Sequence, residues 1–129
     1  MAEIIPYLFY QDVPAALDWL SSAFGFVETM REGTLRGGVH GEMTFEGGHI
    51  MMGQGKKEWR MQSAAATESA TQGVFIYCDE VDAHCGRARQ AGAEIFKEPE
   101  DLPYGRSYSA RDLEGHPWFF TVKSKAEKV

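Results

Sequence analysis

Two cysteines, Cys78 and Cys85, are all that the 129 residues contain, too few for a disulfide framework. No apolar run approaches the ~20 residues of a membrane span. The amino terminus, Met-Ala-Glu, lacks the basic and apolar regions of a signal peptide. Positive charge is in deficit: 13 Lys and Arg face 19 Asp and Glu, a formal net charge of −6. That balance excludes a phosphate-backbone binder, which needs a net basic patch, and favours small cationic ligands or simple solubility. No G-x-S-x-G elbow, Walker loop, zinc spacing or dinucleotide fingerprint occurs. The expectation is a cytoplasmic protein with neither nucleic acid nor membrane among its partners.

What is present reads as one globular domain over residues 1–129, with 43% apolar and 25% charged residues near the usual proportions. Residues 3–10 are short, β-branched and aromatic, hence a strand, with Pro6 placing it near an edge or bulge. Asp12 is a helix N-cap and Pro14 sits in the first turn. Ala16, Leu17, Leu20, Ala23 and Phe24 repeat at helical spacing until Gly25 stops the helix. Strands follow at 26–30, 39–46 and 49–52, and residues 53–72 read as a long polar loop. The pattern then recurs. A strand at 73–78 leads to a helix capped by Asp79 or Asp82 and stopped by Gly92. Strands at 93–96, 106–111 and 118–122 follow, with a loop over 99–105 and a charged tail expected to fray.

A shift of 67 residues carries Tyr10 to Tyr77, Asp12 to Asp79, Gly25 to Gly92 and Gly48 to Gly115. All fall at element boundaries, which points to a duplicated βαβββ unit with modules at about 1–53 and 71–122 and a linker over 54–70. One unit alone would expose an apolar sheet face, so two must pair.

The stretches YQDVPAALDWLSSAFGF, HGEMTFEGGHIMMG, DEVDAHCGRARQAGAEI and PEDLPYGRSYSARDLEGHPWFF resemble the vicinal oxygen chelate superfamily of glyoxalases, bleomycin-resistance proteins and extradiol dioxygenases. The resemblance implies an α+β fold of two tandem βαβββ modules whose sheets curve around a cavity, and a homodimer. Enzymes of the superfamily hold a divalent metal on ligands from the first and last strand of each module. Carried over, those positions are Ile5, Met52, Gly73 (Val74 in a shifted register) and Phe119. None offers the oxygen or imidazole nitrogen that a hard cation wants, so no metal and no cofactor is expected.

Strand alternation says what replaced the ligands. With Ile5 and Gly73 facing inward, Tyr7, Phe9, Phe75 and Tyr77 face inward too, joined by Ile50, Met52 and Phe119. Such a wall lines a small-ligand pocket or fills a core. His40 and Glu42, two apart on one strand face, either orient a ligand, act as a base pair, or face solvent. Tyr104 and Arg106 enter the seventh strand beside the cavity mouth, where Arg106 grips an anion or pairs with Glu100 or Asp101. His49 and His116 read as turn residues. Trp59, in the long loop, covers the pocket or docks on a partner. The sequence thus supports a metal-independent small-molecule binding protein, sequestering an antibiotic or aromatic metabolite as bleomycin-resistance proteins do. The alternative is a glyoxalase-like lyase or isomerase using His40 and Glu42 or a non-standard metal site. A third class is a dimeric scaffold.

Overall fold

The computed structural model describes residues 1–124; the charged tail beyond lies outside the described residues. The first module runs β1 (Tyr7–Tyr10), α1 (Val13–Phe24), β2 (Val27–Gly33), β3 (Val39–Phe45) and β4 (Gly48–Gln54). A 3-10 turn (Lys57–Trp59) and a short helix, α2 (Ala64–Thr67), interrupt the long segment expected as loop. The second module runs β5 (Val74–Tyr77), α3 (Val81–Gln90), β6 (Glu94–Leu102), β7 (Gly105–Arg111) and β8 (Pro117–Lys123). Each module forms a mixed four-stranded sheet, ordered β1-β4-β3-β2 and β5-β8-β7-β6. The outer pair β1–β4 is parallel, as is β5–β8, because the helix and the β-meander return the chain in the same direction. This is the tandem βαβββ architecture that the sequence implied.

Helix α1 forms where the periodicity places it. The Asp12 carboxylate accepts from the Ala15 N–H at 3.0 Å, and Gly25 ends the helix at φ 79°. All five periodic residues from Ala16 to Phe24 are fully buried. Burying a Leu or Phe completely contributes roughly 1.5–3 kcal/mol each. Helix α3 starts differently from the expectation. Its N-cap is Glu80, whose side chain makes no capping bond, rather than Asp79 or Asp82. Strand β6 also runs on to Leu102, through Pro99. Its edge position, with a register shift between Lys97 and Glu100, leaves no ladder bond for the proline to break.

The two sheets turn their helix-covered faces toward each other. Phe45 of β3 and Phe120 of β8 lie 6.3 Å apart by ring centroid, and Phe26 lies 5.4 Å from Trp118. Phe45 and Phe120 both pack on His84 of α3, at 5.7 and 4.1 Å, so the contact joins the helix-covered faces. One apolar cluster joins both modules, with Phe24 at its centre against Trp118 and Phe120 at 5.5 and 4.9 Å.

Polar groups from the second module grip both ends of α1. At its start, Glu114 accepts from the N–H groups of Gln11 and Asp12, at 2.7 and 3.0 Å. At its end, Arg87 donates to the carbonyls of Ser21 and Ser22, and His84 Nε2 donates to the Phe24 carbonyl at 2.7 Å. A helix leaves its first N–H and last C=O groups without internal partners, so these bonds satisfy α1 and fix the module angle together. With Nε2 donating, His84 Nδ1 is the acceptor for the Tyr108 hydroxyl.

Burial first, and the Arg87 charge second, hold the His84 imidazole below its ordinary pKa of 6.5, against the Phe24 carbonyl, which raises it. A histidine depressed in the folded state leaves stability intact above the unfolded value and loses it as pH falls below about 6.5. Unfolding free energy is therefore expected to drop between pH 7.5 and 5.5. In His84→Gln, which keeps a donor and an acceptor but does not titrate, that slope is expected to flatten. Equal slopes for both proteins would contradict this assignment.

Candidate functional site

The faces of the sheets turned away from the shared core carry the sequence-marked residues, on two separate walls. On the first wall, β1 presents Tyr7 and Phe9, and its in-register neighbour β4 presents Met51 and Gly53. Next to them β3 presents His40, Glu42 and Thr44, and β2 adds Met30 and Glu32 opposite Glu42 and His40. Tyr7 is 46% exposed. Its ring reaches across β4 because Gly53 has no side chain: a Cβ there would stand 2.6 Å from the Tyr7 hydroxyl.

The polar centre of this wall is a three-residue chain. His40 Nε2 lies 2.8 Å from a Glu42 carboxylate oxygen, and His40 Nδ1 lies 2.9 Å from the Tyr7 hydroxyl. Partial burial, and after it the Glu42 charge, raise the Tyr7 pKa, so the phenol keeps its proton. Beside this wall a cavity of about 430 Å³ shares Tyr7 and Phe9 and is closed by Arg60 to Gln72 of the linker, Gly73, Val74 and His116. His116 is committed to structure, its Nε2 donating to the Phe9 carbonyl at 2.9 Å. His49, in β4 rather than in the turn, pairs with Glu3 at 2.8 Å.

On the second wall, β5 presents Phe75 and Tyr77, 48% and 47% exposed, and β8 presents Phe119 opposite Phe75. Tyr104, in the β6–β7 turn, comes within 6.3 Å of Phe75. Phe96 lies beside Phe119, with the Arg111 guanidinium 4.2 Å from its ring, and Lys123 lies over Tyr77 at 5.0 Å. Among the described residues no aromatic contact joins the two walls. The cavity that Tyr7 and Phe9 line takes in Gly73 and Val74 of the second module but neither Phe75 nor Tyr77.

Two expectations are corrected. Ile50 and Met52 do not stand on the wall; they are buried on the helix face, 4% and 0% exposed, and Met51 takes the outward place. The cause is parity. Tyr7 corresponds to Phe75, 68 residues on, and Met51 to Phe119, because an odd shift turns a strand over. The 67-residue shift does hold for β3 and β7. The following turn is one residue longer in the second module, Thr44 pairing with His49 where Arg111 pairs with Pro117. Of the two alternatives for Arg106, the structure has the ion pair. The side chain points to the helix side and binds Asp82 at 2.9 and 3.0 Å and Asp101 at 3.2 Å, so its charge is spent on holding α3. Trp59, 49% exposed, lies between Arg36 and Lys56 at 5.4 and 5.6 Å from their cationic groups.

The positions at which the fold family places a metal carry Ile5, Met51, Gly73 and Phe119 once parity is corrected. Gly73 is filled by its neighbour, since a Cβ there would meet the Phe119 ring at 2.6 Å. This set, aliphatic, thioether and aromatic, does not fit a hard divalent cation. Among the described residues no three His, Cys, Asp or Glu side chains cluster as metal ligands. The thiols are equally unsuited to chemistry: burial, aided by the Glu46 charge, pushes Cys78 up to about 11, and burial raises Cys85 as well.

A family model described as the Glyoxalase/Bleomycin resistance protein/Dioxygenase superfamily matches residues 3–120. Among solved structures, TioX from Micromonospora sp. ML1 is similar at 31% identity and TM-score 0.74, over 95% of this chain and 97% of that one. TnmS3, an antibiotic binding protein from Streptomyces sp. CB03234, superposes with TM-score 0.76 at 18% identity, over 96% of this chain and 98% of its own. The fosfomycin resistance protein FosX from Listeria monocytogenes superposes with TM-score 0.73 at 16% identity, over 99% and 96%. At those identities the last two speak to the fold alone. No curated protein matches the chain.

Proposed function

The chain belongs to the glyoxalase/bleomycin resistance/dioxygenase superfamily, and from that premise we propose that it is a metal-independent binding protein for a small planar or partly aromatic molecule. The antibiotic-binding TnmS3 and the fosfomycin-resistance FosX suggest an antibiotic or a related aromatic metabolite as the molecule sequestered. One observation carries this: half-exposed aromatic rings, Tyr7 on one outward wall and Phe75 and Tyr77 on the other, stand beside the donor-free positions at which a metal enzyme of the family would need ligands. Exposed apolar surface of this kind marks an interface or a ligand groove.

The same observation supports a homodimer in which the first wall of one protomer faces the second wall of its partner, closing two equivalent clefts. Charge favours that pairing, with Glu32 and Glu42 on the first wall and Lys123 on the second, where Arg111 is already paired with Glu94 at 2.8 Å. Ring-on-ring contacts with a planar guest contribute ~0.5–1.5 kcal/mol each beyond buried area. Among the described residues no helix is long and apolar enough to cross a membrane, and a cytoplasmic location forms part of the same proposal.

A second reading, a lyase or isomerase, rests on the His40–Glu42 pair. It is weaker because Tyr7 already occupies the His40 nitrogen that a general base would use, so a proton would have to pass through the phenol.

Sedimentation equilibrium at micromolar concentration is expected to give twice the chain mass. Manganese, nickel or zinc is expected to leave the melting temperature unchanged, whereas a tight site would add about 4 kcal/mol at a thousandfold excess over its dissociation constant. A monomer would remove the shared clefts, and a metal-induced shift lost in His40→Ala would favour the enzyme.

A further inference from the structure

The Tyr7–His40–Glu42 chain has a direction. Ionised Glu42 only accepts, so His40 Nε2 must carry a proton. With one ring proton, held at Nε2, Nδ1 is an acceptor and the single Tyr7 proton is spent on it. The remaining capacity of the chain is the lone pair on the Tyr7 oxygen, an acceptor with a carboxylate behind it. A ligand atom placed there has to be a hydrogen-bond donor.

The rest of the first wall has the same preference. Its four strands contain one Lys or Arg, Arg31, and that side chain turns to the helix side, bound to Asp18 at 2.7 Å and to Glu28. Facing outward around His40 are Glu42 and Glu32, with His49 hydrogen-bonded to Glu3 at the far end of β4. The faces of Tyr7 and Phe9, 5.5 Å apart, attract cations through their quadrupoles, and Met30 and Met51 add polarisable sulfur. Carboxylate, oriented acceptor and aromatic faces all act in one direction.

We propose that this wall selects planar organic cations, a protonated aromatic or amidine-like nitrogen donating to the Tyr7 oxygen while its ring stacks on Tyr7 or Phe9. The inference rests on the small-molecule binding proposed above and names the ligand class for that site. Arg60, which lines the adjoining cavity, is the basic group to be separated from the effect.

Three tricyclic fluorescent probes of similar size test it: proflavine as the cation, 9-anthracenemethanol as the neutral ring and 9-anthracenecarboxylate as the anion. Fluorescence titration at pH 7.5 is expected to rank them in that order, with proflavine at least about tenfold tighter than the carboxylate. The affinity ratio of proflavine to 9-anthracenemethanol is expected to fall about tenfold in Tyr7→Phe and in Glu42→Gln, and to persist or grow in Arg60→Ala. Circular dichroism checks that each variant is folded. If 9-anthracenemethanol binds but the carboxylate matches or exceeds proflavine, or the ratio survives both substitutions, the ligand class is wrong and the binding site stands. If no probe binds, both fall.

Discussion

Asp112→Ala is expected to lower the unfolding free energy by about 3–5 kcal/mol, among the largest single losses open to this fold. Asp112 is 6% exposed and sits in the β7–β8 turn. One carboxylate oxygen accepts from the Tyr10 hydroxyl at 2.6 Å and from Trp118 Nε1 at 3.0 Å. The other accepts from the N–H groups of Glu114 and His116 at 3.0 and 3.1 Å. Tyr10 belongs to β1 and Trp118 to β8, both wholly buried, so the residue also ties the modules together. Removing it strands two buried donors where water cannot follow, each at ~1–3 kcal/mol. Asp112→Asn is expected to recover only part of this, because its amide N–H₂ has to face donors on one side. Denaturant unfolding measures the effect, as a lower midpoint with an unchanged m-value.

Phe24→Ala is expected to cost about 3–5 kcal/mol, and Tyr7→Ala less than about 1 kcal/mol in the ligand-free protein. The residues look alike in the sequence, both aromatic and both in strongly apolar stretches. Phe24 is wholly buried and touches rings from both modules: Trp19, Trp118 and Phe120 at 5.0, 5.5 and 4.9 Å. Its loss opens a cavity that two packed sheets cannot close. Tyr7 has solvent over nearly half its surface, and its bonds are to His40 and across Gly53. If Tyr7→Ala unfolded the protein as Phe24→Ala does, the ring would be packing rather than a binding wall.

The elements and their faces were legible where a local period governs them. The α1 stripe, the Asp12 cap and the Gly25 stop follow from spacing within one element; alternation puts Tyr7 with Phe9 and Phe75 with Tyr77, while which face they share, and the place of Phe119, came from the family's ligand positions. Ile50 and Met52 were misplaced because a repeat measured on glycines carries no parity. One residue added in the β7–β8 turn is invisible to a composition match yet inverts a strand face. Pro99 reads locally as loop because edge position is a property of the sheet, not of the segment. The bonds of Asp112, Glu114, His84 and Arg87 to the first module, and of Tyr7 to His40, join residues from 33 to 103 apart. No local pattern announces such contacts. The Gly residues at 53 and 73 were visible, but the close ring approaches they permit were not.

The proposed homodimer, which sets the first aromatic wall against the partner's second, makes the partner subunit part of the site, and subunit mixing tests that most directly. Tyr7→Ala damages the first wall and Phe119→Ala the second, and each homodimer alone then has two defective clefts. Equal amounts of the two variants, unfolded together and refolded, form half mixed dimers in which one cleft combines two intact walls. Binding of 9-anthracenemethanol, near zero for either variant alone, is expected to return to about one quarter of the wild-type capacity in the mixture. No recovery on mixing, with mixed dimers confirmed by native mass spectrometry, would contradict a site built between subunits.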